Sequence, residues 1–164
     1  MKYLMGNFGY SYLWMLYTIV LLSISSLVVI DAYQIQTKRA NEIELLFIGQ
    51  EFRDALESYC LKSNEQGMNC YPTSVEDLLK DNRNLKSNRH LRKIYVDPIT
   101  GKKDWVYLKV SNRIVGFHSS SNDSVLKKEG FRIENLSLSN KSSYSDWKFT
   151  YPPNLLIDLT ENQD

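Results

Sequence analysis

The sequence predicts an α+β fold, one long N-terminal helix packed on a small antiparallel β-sheet. Three observations predict it. An uncharged, largely apolar run occupies Tyr10 to Ile30. Behind it, Leu45, Ile48, Phe52, Leu56 and Tyr59 recur at three- and four-residue steps, which places them on one helix face. Further on, Trp105 to Val110 and Arg113 to Phe117 are strand-like runs joined by Ser111-Asn112, a tight hairpin connection.

The first run reads as a transmembrane segment. As an unbroken helix it is roughly 30 Å long, which matches the hydrocarbon core of a bilayer. Its polar residues are Ser, Thr and Tyr. Ser and Thr hydroxyls can bond back to carbonyls of their own helix, and lipid tolerates them in that state. Tyr10, Tyr12 and Trp14 crowd its start, where amphipathic rings favour the membrane–water interface. A buried core helix rarely needs so long an uninterrupted apolar stretch. A cleaved secretory signal would need a shorter core and small residues at its end, and here the end reads Val28-Val29-Ile30-Asp31-Ala32. The basic residues do not favour an inside N-terminus: Lys2 precedes the run, whereas Lys38 and Arg39 follow it.

The helical pattern continues after Ile30, and no proline occurs before Pro72. One helix is therefore expected from Tyr10 to Leu61, apolar all round in its first half and amphipathic in its second. Arg53 and Glu57 form an i,i+4 pair on its solvent side. The chain then divides into a leader over 1–9, the transmembrane segment over 10–30, the amphipathic half over 31–61, a small α+β domain over 62–153 and a loose tail over 154–164.

Residues 62–71 read as a loop. Thr73 and Glu76 have capping-box spacing ahead of a short helix over Val75, Leu78 and Leu79. The polar, basic stretch 80–93 follows, and Arg89 to Tyr95 is expected to add a further helical turn. Asp97-Pro98-Ile99-Thr100-Gly101-Lys102 reads as a turn. Residues 118–143 are expected to be a long loop held to the core by Val125, Leu126 and Phe131. Tyr144 to Tyr151 alternates aromatic and polar residues and predicts a third strand, which Pro152-Pro153 ends.

The chain has 20 Lys and Arg against 19 Asp and Glu, a net charge of +1. That balance gives no electrostatic case for nucleic acid as a partner. His90 and His118 are the two histidines. His118, Ser119 to Ser121 and Asp123 assemble a Ser/His/Asp list on paper, but no nucleophile-elbow motif surrounds these serines, and a solvated loop accounts for them. Neither zinc spacing nor a glycine-rich phosphate loop is present, so no cofactor, metal or catalytic residue is expected. Arg89, Arg92 and Lys93 read as a solvated basic face. Cys60 and Cys70 flank one loop, and they are either a disulfide or two reduced thiols according to the compartment.

A short leader ending in glycine, an apolar helix running into an amphipathic one and a small α+β domain resemble the type IV pilin-like proteins. Gly9-Tyr10-Ser11-Tyr12-Leu13 is similar to their leader-peptidase junction. Ala40 to Gly49, Tyr71 to Leu79, Asp97 to Lys102 before Trp105, and Tyr144 to Phe149 are similar to pseudopilins of bacterial type II secretion, above all the G-like members. The resemblance covers residues 6 to 151.

This resemblance implies a pilin-like fold and a non-catalytic subunit. Such a subunit is anchored once in the bacterial inner membrane with its domain in the periplasm. It implies that prepilin peptidase cuts between Gly9 and Tyr10. It implies membrane lipid, other pilin-like subunits and a secretion or pilus machine as partners. Tyr10 to Ile30 would pack on neighbouring helices, while Leu45, Ile48, Phe52 and Leu56 would pack on their own domain. A periplasmic location favours a Cys60–Cys70 disulfide.

Two positions depart from the family. It usually carries a glutamate at the fifth position after the cleavage point, thought to meet the amino terminus of a neighbour. Here that position is Trp14. The acidic cluster of the calcium-binding members is replaced by Ser120-Ser121-Asn122-Asp123, followed by Lys127-Lys128, and calcium is not carried over. The alternative function is a membrane-anchored periplasmic accessory or binding module that never enters a fibre.

Overall fold

The computed structural model describes residues 8–63, 67–83, 87–153 and 155, without the side chains of 8, 9, 26–29, 31 and 68. The chain is α+β and divides into two compact units, Met1–Lys38 and Arg39–Asp164. Helix α1 spans Phe8–Leu61. In the first unit, every described side chain from Tyr10 to Ser25 is exposed. Thr18 Oγ1 donates to the Met15 carbonyl at 2.8 Å, Ser23 Oγ to Ile19 at 2.8 Å and Ser25 Oγ to Leu21 at 2.9 Å. These hydroxyls are satisfied inside their own helix. Among the described residues no helix is long and apolar enough to cross a membrane. The run Tyr10 to Ile30 falls in part on side chains outside that set.

In the second unit, α1 buries Leu45, Ile48, Phe52, Ala55, Leu56 and Tyr59. The sheet has three antiparallel strands in the order β1 (Val106–Val110), β2 (Arg113–His118) and β3 (Phe149–Thr150). Ser111 and Asn112 both take positive φ, 50° and 62°, as the tight turn between twisted strands requires. A bulge at Leu108/Lys109 shifts the register, so β2 buries Ile114, Val115, Gly116 and Phe117 in succession instead of alternately. An aromatic stack joins helix to sheet. The ring of Phe52 meets Phe117 at 4.5 Å, Phe117 meets Trp105 at 4.7 Å, and Phe117 stacks on Phe149 at 5.4 Å.

Several expectations require correction. The predicted third strand over Tyr144 to Tyr151 is a 3-10 turn at Tyr144–Asp146, and only Phe149–Thr150 pairs with β2. The alternation there arises from a second aromatic cluster, in which Trp147 lies 5.6 Å from Tyr144 and 5.5 Å from Phe131. The Thr73/Glu76 capping box does not form. Asp77 Oδ2 instead accepts the Thr73 hydroxyl at 3.0 Å and the Ser74 N–H at 3.0 Å, ahead of α2 (Glu76–Leu79). Arg89 to Tyr95 makes no helical turn, because Asp81 and Asn88 form an isolated antiparallel bridge and Leu78 O accepts the N–H groups of His90 and Leu91. The loop over 118–143 contains a 3-10 helix at Ile133–Leu138. Val125 is buried in it, whereas Leu126 is exposed. Of the tail, only Leu155 lies among the described residues, and it is buried.

Arg53 is the largest departure from sequence expectation. It makes no surface pair with Glu57 but is buried, its Nε donating to Thr150 O at 3.1 Å and its Nη1 to Glu134 O at 2.8 Å and to Asn135 Oδ1. Burial lowers its pKa to about 10, and a guanidinium at that value stays charged. Glu57 accepts the Tyr151 hydroxyl instead, at 3.3 Å.

Candidate functional site

The residues with a predicted functional role fall on α1 and on the loop beyond it. Gly9 and Tyr10 lie in the first turns of α1, and residues 1–7 of the leader are outside the described residues. Tyr10, Trp14 and Tyr17 are exposed, and the rings of Trp14 and Tyr17 meet edge to face at 6.1 Å. Leu45, Ile48, Phe52 and Leu56 are buried together under the sheet. Cys60 and Cys70 form a disulfide with an S–S distance of 2.06 Å. It ties the last turn of α1 to the 3-10 turn Gly67–Cys70, ten residues further on.

Three polar groups on or beside α1, of which Glu42 and Arg53 are buried, hold the loops of the second unit. Glu42 sits three residues before Leu45, on the core side of the helix. Its Oε1 accepts the Leu126 N–H at 2.6 Å and the Tyr144 hydroxyl at 2.9 Å, and its Oε2 accepts the Lys127 N–H at 3.2 Å. Burial, then the bond to Glu42, pushes the Tyr144 hydroxyl well above its ordinary pKa. Arg53, also on this side, clamps residues 134–135 and 150. Ser58, near the end of α1, carries the third. His90 Nδ1 faces Ser58 Oγ at 2.9 Å, and His90 Nε2 faces Asp81 Oδ2 at 3.3 Å.

Ser58, His90 and Asp81 have the residue types of a hydrolytic triad, but the His90 side chain is 0% exposed. No substrate reaches that ring. Arg83 binds both Asp81 oxygens at 2.9 Å and donates to Tyr59 O, with its guanidinium 3.5 Å from the centre of the Tyr59 ring. Asp81 is held at about 2, chiefly by its bond to Arg83. His90 is pushed below its ordinary value by burial, against the opposing pull of Asp81. The neutral ring, with its proton on Nε2, donates to Asp81 and accepts from Ser58. This group is a cross-brace between α1 and the 80–91 loop.

The list built on His118 does not assemble. His118 Nδ1 bonds the neighbouring Ser119 carbonyl, and Ser119 Oγ donates to the buried Asp97 at 2.5 Å. Asp97 also caps its own turn by accepting the Ile99 N–H at 2.8 Å. Among the described residues no cluster of three or more His, Cys, Asp or Glu side chains is placed to hold a metal ion.

Exposed apolar surface remains on the second unit. Ile43, Leu46 and Phe47 of α1, with Phe131 and the Lys127 stem, border a groove. Sequence reasoning did not single out Glu42 or the Ser58–His90–Asp81 brace, and it placed Arg53 on the solvent side. Glu42 and Arg53 were detectable as charges at core positions of the helical repeat. The brace joins residues far apart in the chain and had no local signal. Comparison of the chain with protein-family models, with curated proteins and with solved structures found no match.

Proposed function

We propose that this chain is a non-catalytic, pilin-like (pseudopilin) subunit of a type II secretion or type IV pilus-type assembly. It is anchored in the bacterial inner membrane by Tyr10 to Ile30, with its sheet-containing unit in the periplasm. The observation that carries this is the two-part chemistry of α1. Its first part exposes apolar side chains whose neighbouring hydroxyls are satisfied within the helix. Its last part supplies one wall of a core. Apolar helix surface of this kind needs lipid or other helices to cover it. The Cys60–Cys70 disulfide accords with an oxidising compartment.

Prepilin peptidase would then cut between Gly9 and Tyr10. Mass spectrometry of the mature protein from membranes tests this: the expected N-terminus is Tyr10, and a retained 1–9 leader argues against fibre entry. Crosslinkers placed between positions 10 and 30 should capture other pilin-like subunits. A membrane-anchored accessory module outside any fibre is favoured by Trp14, which removes the usual carboxylate, and by the Lys38-Arg39 pair following the run. Crosslinks to lipid alone would select it.

A further inference from the structure

We propose that the groove beside α1 in the second unit binds one anionic phospholipid of the membrane, with its headgroup on Arg39 and Lys127 and an acyl chain along Ile43, Leu46, Phe47 and Phe131. The groove consists of two adjoining clefts of about 350 Å³ each, which share Ile43, Leu46 and Lys127. That size falls within the range of small-molecule sites. The near cleft reaches back to Arg39, and the far one runs on to Phe47 and Gln50. At about 1.5 Å per residue, Arg39 to Gln50 is a track of roughly 16 Å along the helix, enough for a good part of an extended acyl chain. Its apolar side chains are not closed over by the domain: Ile43 is 70% exposed and Phe47 56%.

Charge gives the groove a direction. Arg39 is exposed and Lys127 half-buried, with its ammonium 4.9 Å from the centre of the Phe131 ring. Among the described residues neither is in an ion pair. The carboxylate of the near cleft, Glu42, is buried, and both its oxygens are engaged by the Leu126 and Lys127 amides and the Tyr144 hydroxyl. In the far cleft Arg132 is offset by the exposed Glu134. An anion is therefore favoured at the Arg39 end, and an uncharged chain beyond it.

The occupant must combine one anionic head with hydrocarbon. A small inorganic anion leaves the apolar track uncovered. An acidic peptide would bring backbone polar groups against side chains already engaged, since Gln50 donates to Asp54 and Asn135 accepts from Arg53. An anionic phospholipid meets both demands. The inference rests on the anchored reading above, which also brings the lipid close. Even fully extended, the chain from Ile30 to Arg39 is at most about 30 Å long, so the bilayer surface stays within reach of the Arg39 end.

The test uses the full chain in neutral detergent micelles doped with phosphatidylglycerol that carries a photoreactive group on one acyl chain. Phosphatidylcholine with the same chain is the comparison, and adducts are mapped by mass spectrometry. Wild type should give adducts within 43–47 and 126–131 besides those within 10–30. The groove adducts should be about tenfold more abundant with the anionic lipid, as expected for two cations near one anionic head. An Arg39→Gln/Lys127→Gln variant should lose that preference. Arg132→Gln should keep it, and the 10–30 adducts should be the same in all three proteins. Adducts confined to 10–30 overturn the proposal and leave the anchor reading standing, whereas adducts at neither place overturn both. Groove adducts indifferent to the headgroup, or a loss as large in Arg132→Gln, mark unspecific attraction and overturn the site. Groove adducts that fade as protein concentration rises assign this face to a second copy and overturn it as well.

Discussion

The ring of Phe149 occupies the space that a side chain at Gly49 would need. A Cβ at 49 would lie 2.2 Å from Phe149 Cδ1, so β3 and α1 can approach only because position 49 is glycine. In an exposed helix, Gly→Ala stabilises by about 1 kcal/mol. Here overpacking opposes that gain at about 1–3 kcal/mol. Gly49→Ala should therefore lower the urea midpoint, and adding Phe149→Leu should restore part of the loss. A stabilised Gly49→Ala would show that the ring can move aside.

Glu42→Gln keeps the shape but replaces a charged acceptor. Hydrogen bonds to a charged group contribute about 1.5–3 kcal/mol. The variant should lose stability in that range, and the Leu126 and Lys127 amides should exchange with solvent faster. Exchange that stays at wild-type rates would mean that other contacts hold this loop.

The brace makes stability depend on acid. Burial lowers the His90 pKa, so below its ordinary value of 6.5 the unfolded chain binds more protons and stability falls with pH. Asp81, depressed to about 2, adds a second loss in the same direction as pH drops from about 4. His90→Asn should flatten the stability profile between pH 6.5 and 5 while leaving the acid limb in place. Identical wild-type and variant profiles across that window would refute the assignment.

Reducing Cys60–Cys70 releases a loop of ten residues' separation. Chain entropy sets its contribution at about 2–3 kcal/mol. The urea midpoint should fall under reductant, and a Cys60→Ser/Cys70→Ser variant should show the lower value without it. Mass mapping of the protein isolated without reductant should find the two cysteines joined.

Trp14 stands where pilin-like chains usually carry a carboxylate. If the chain is the pilin-like subunit proposed above, a fibre of this chain alone should be poorly favoured, because a neighbour's amino terminus would remain unpaired in lipid. Trp14→Glu should then increase self-assembly or co-assembly with pilin-like partners. Long wild-type homopolymers that Trp14→Glu leaves unchanged would refute this.

Periodic segments were legible in the sequence. The α1 stripe and the β1–β2 hairpin follow from local spacing and from turn residues that accept positive φ. The third strand misled because aromatic alternation has two sources. Phe149 alternates as part of the sheet, whereas Tyr144 and Trp147 pack as a cluster around a 3-10 turn. Arg53 misled because an i,i+4 partner in sequence was assumed to be its partner in space, while the carbonyls at 134 and 150 were nearer. The Ser58–His90–Asp81 brace depends on three segments that meet only after folding, and periodicity carries no information about such meetings.

Thr18, Ser23 and Ser25 have a further effect beyond tolerating an apolar setting. Their hydrogens point to Met15, Ile19 and Leu21 of their own helix. A helix lying alongside finds mostly hydrocarbon at those positions, with few polar teeth to engage. Nothing there rewards one axial offset strongly over another a turn away. In the proposed assembly, two such helices slide by one turn at small cost, and the stagger between subunits is set by the parts of the chain outside that stretch.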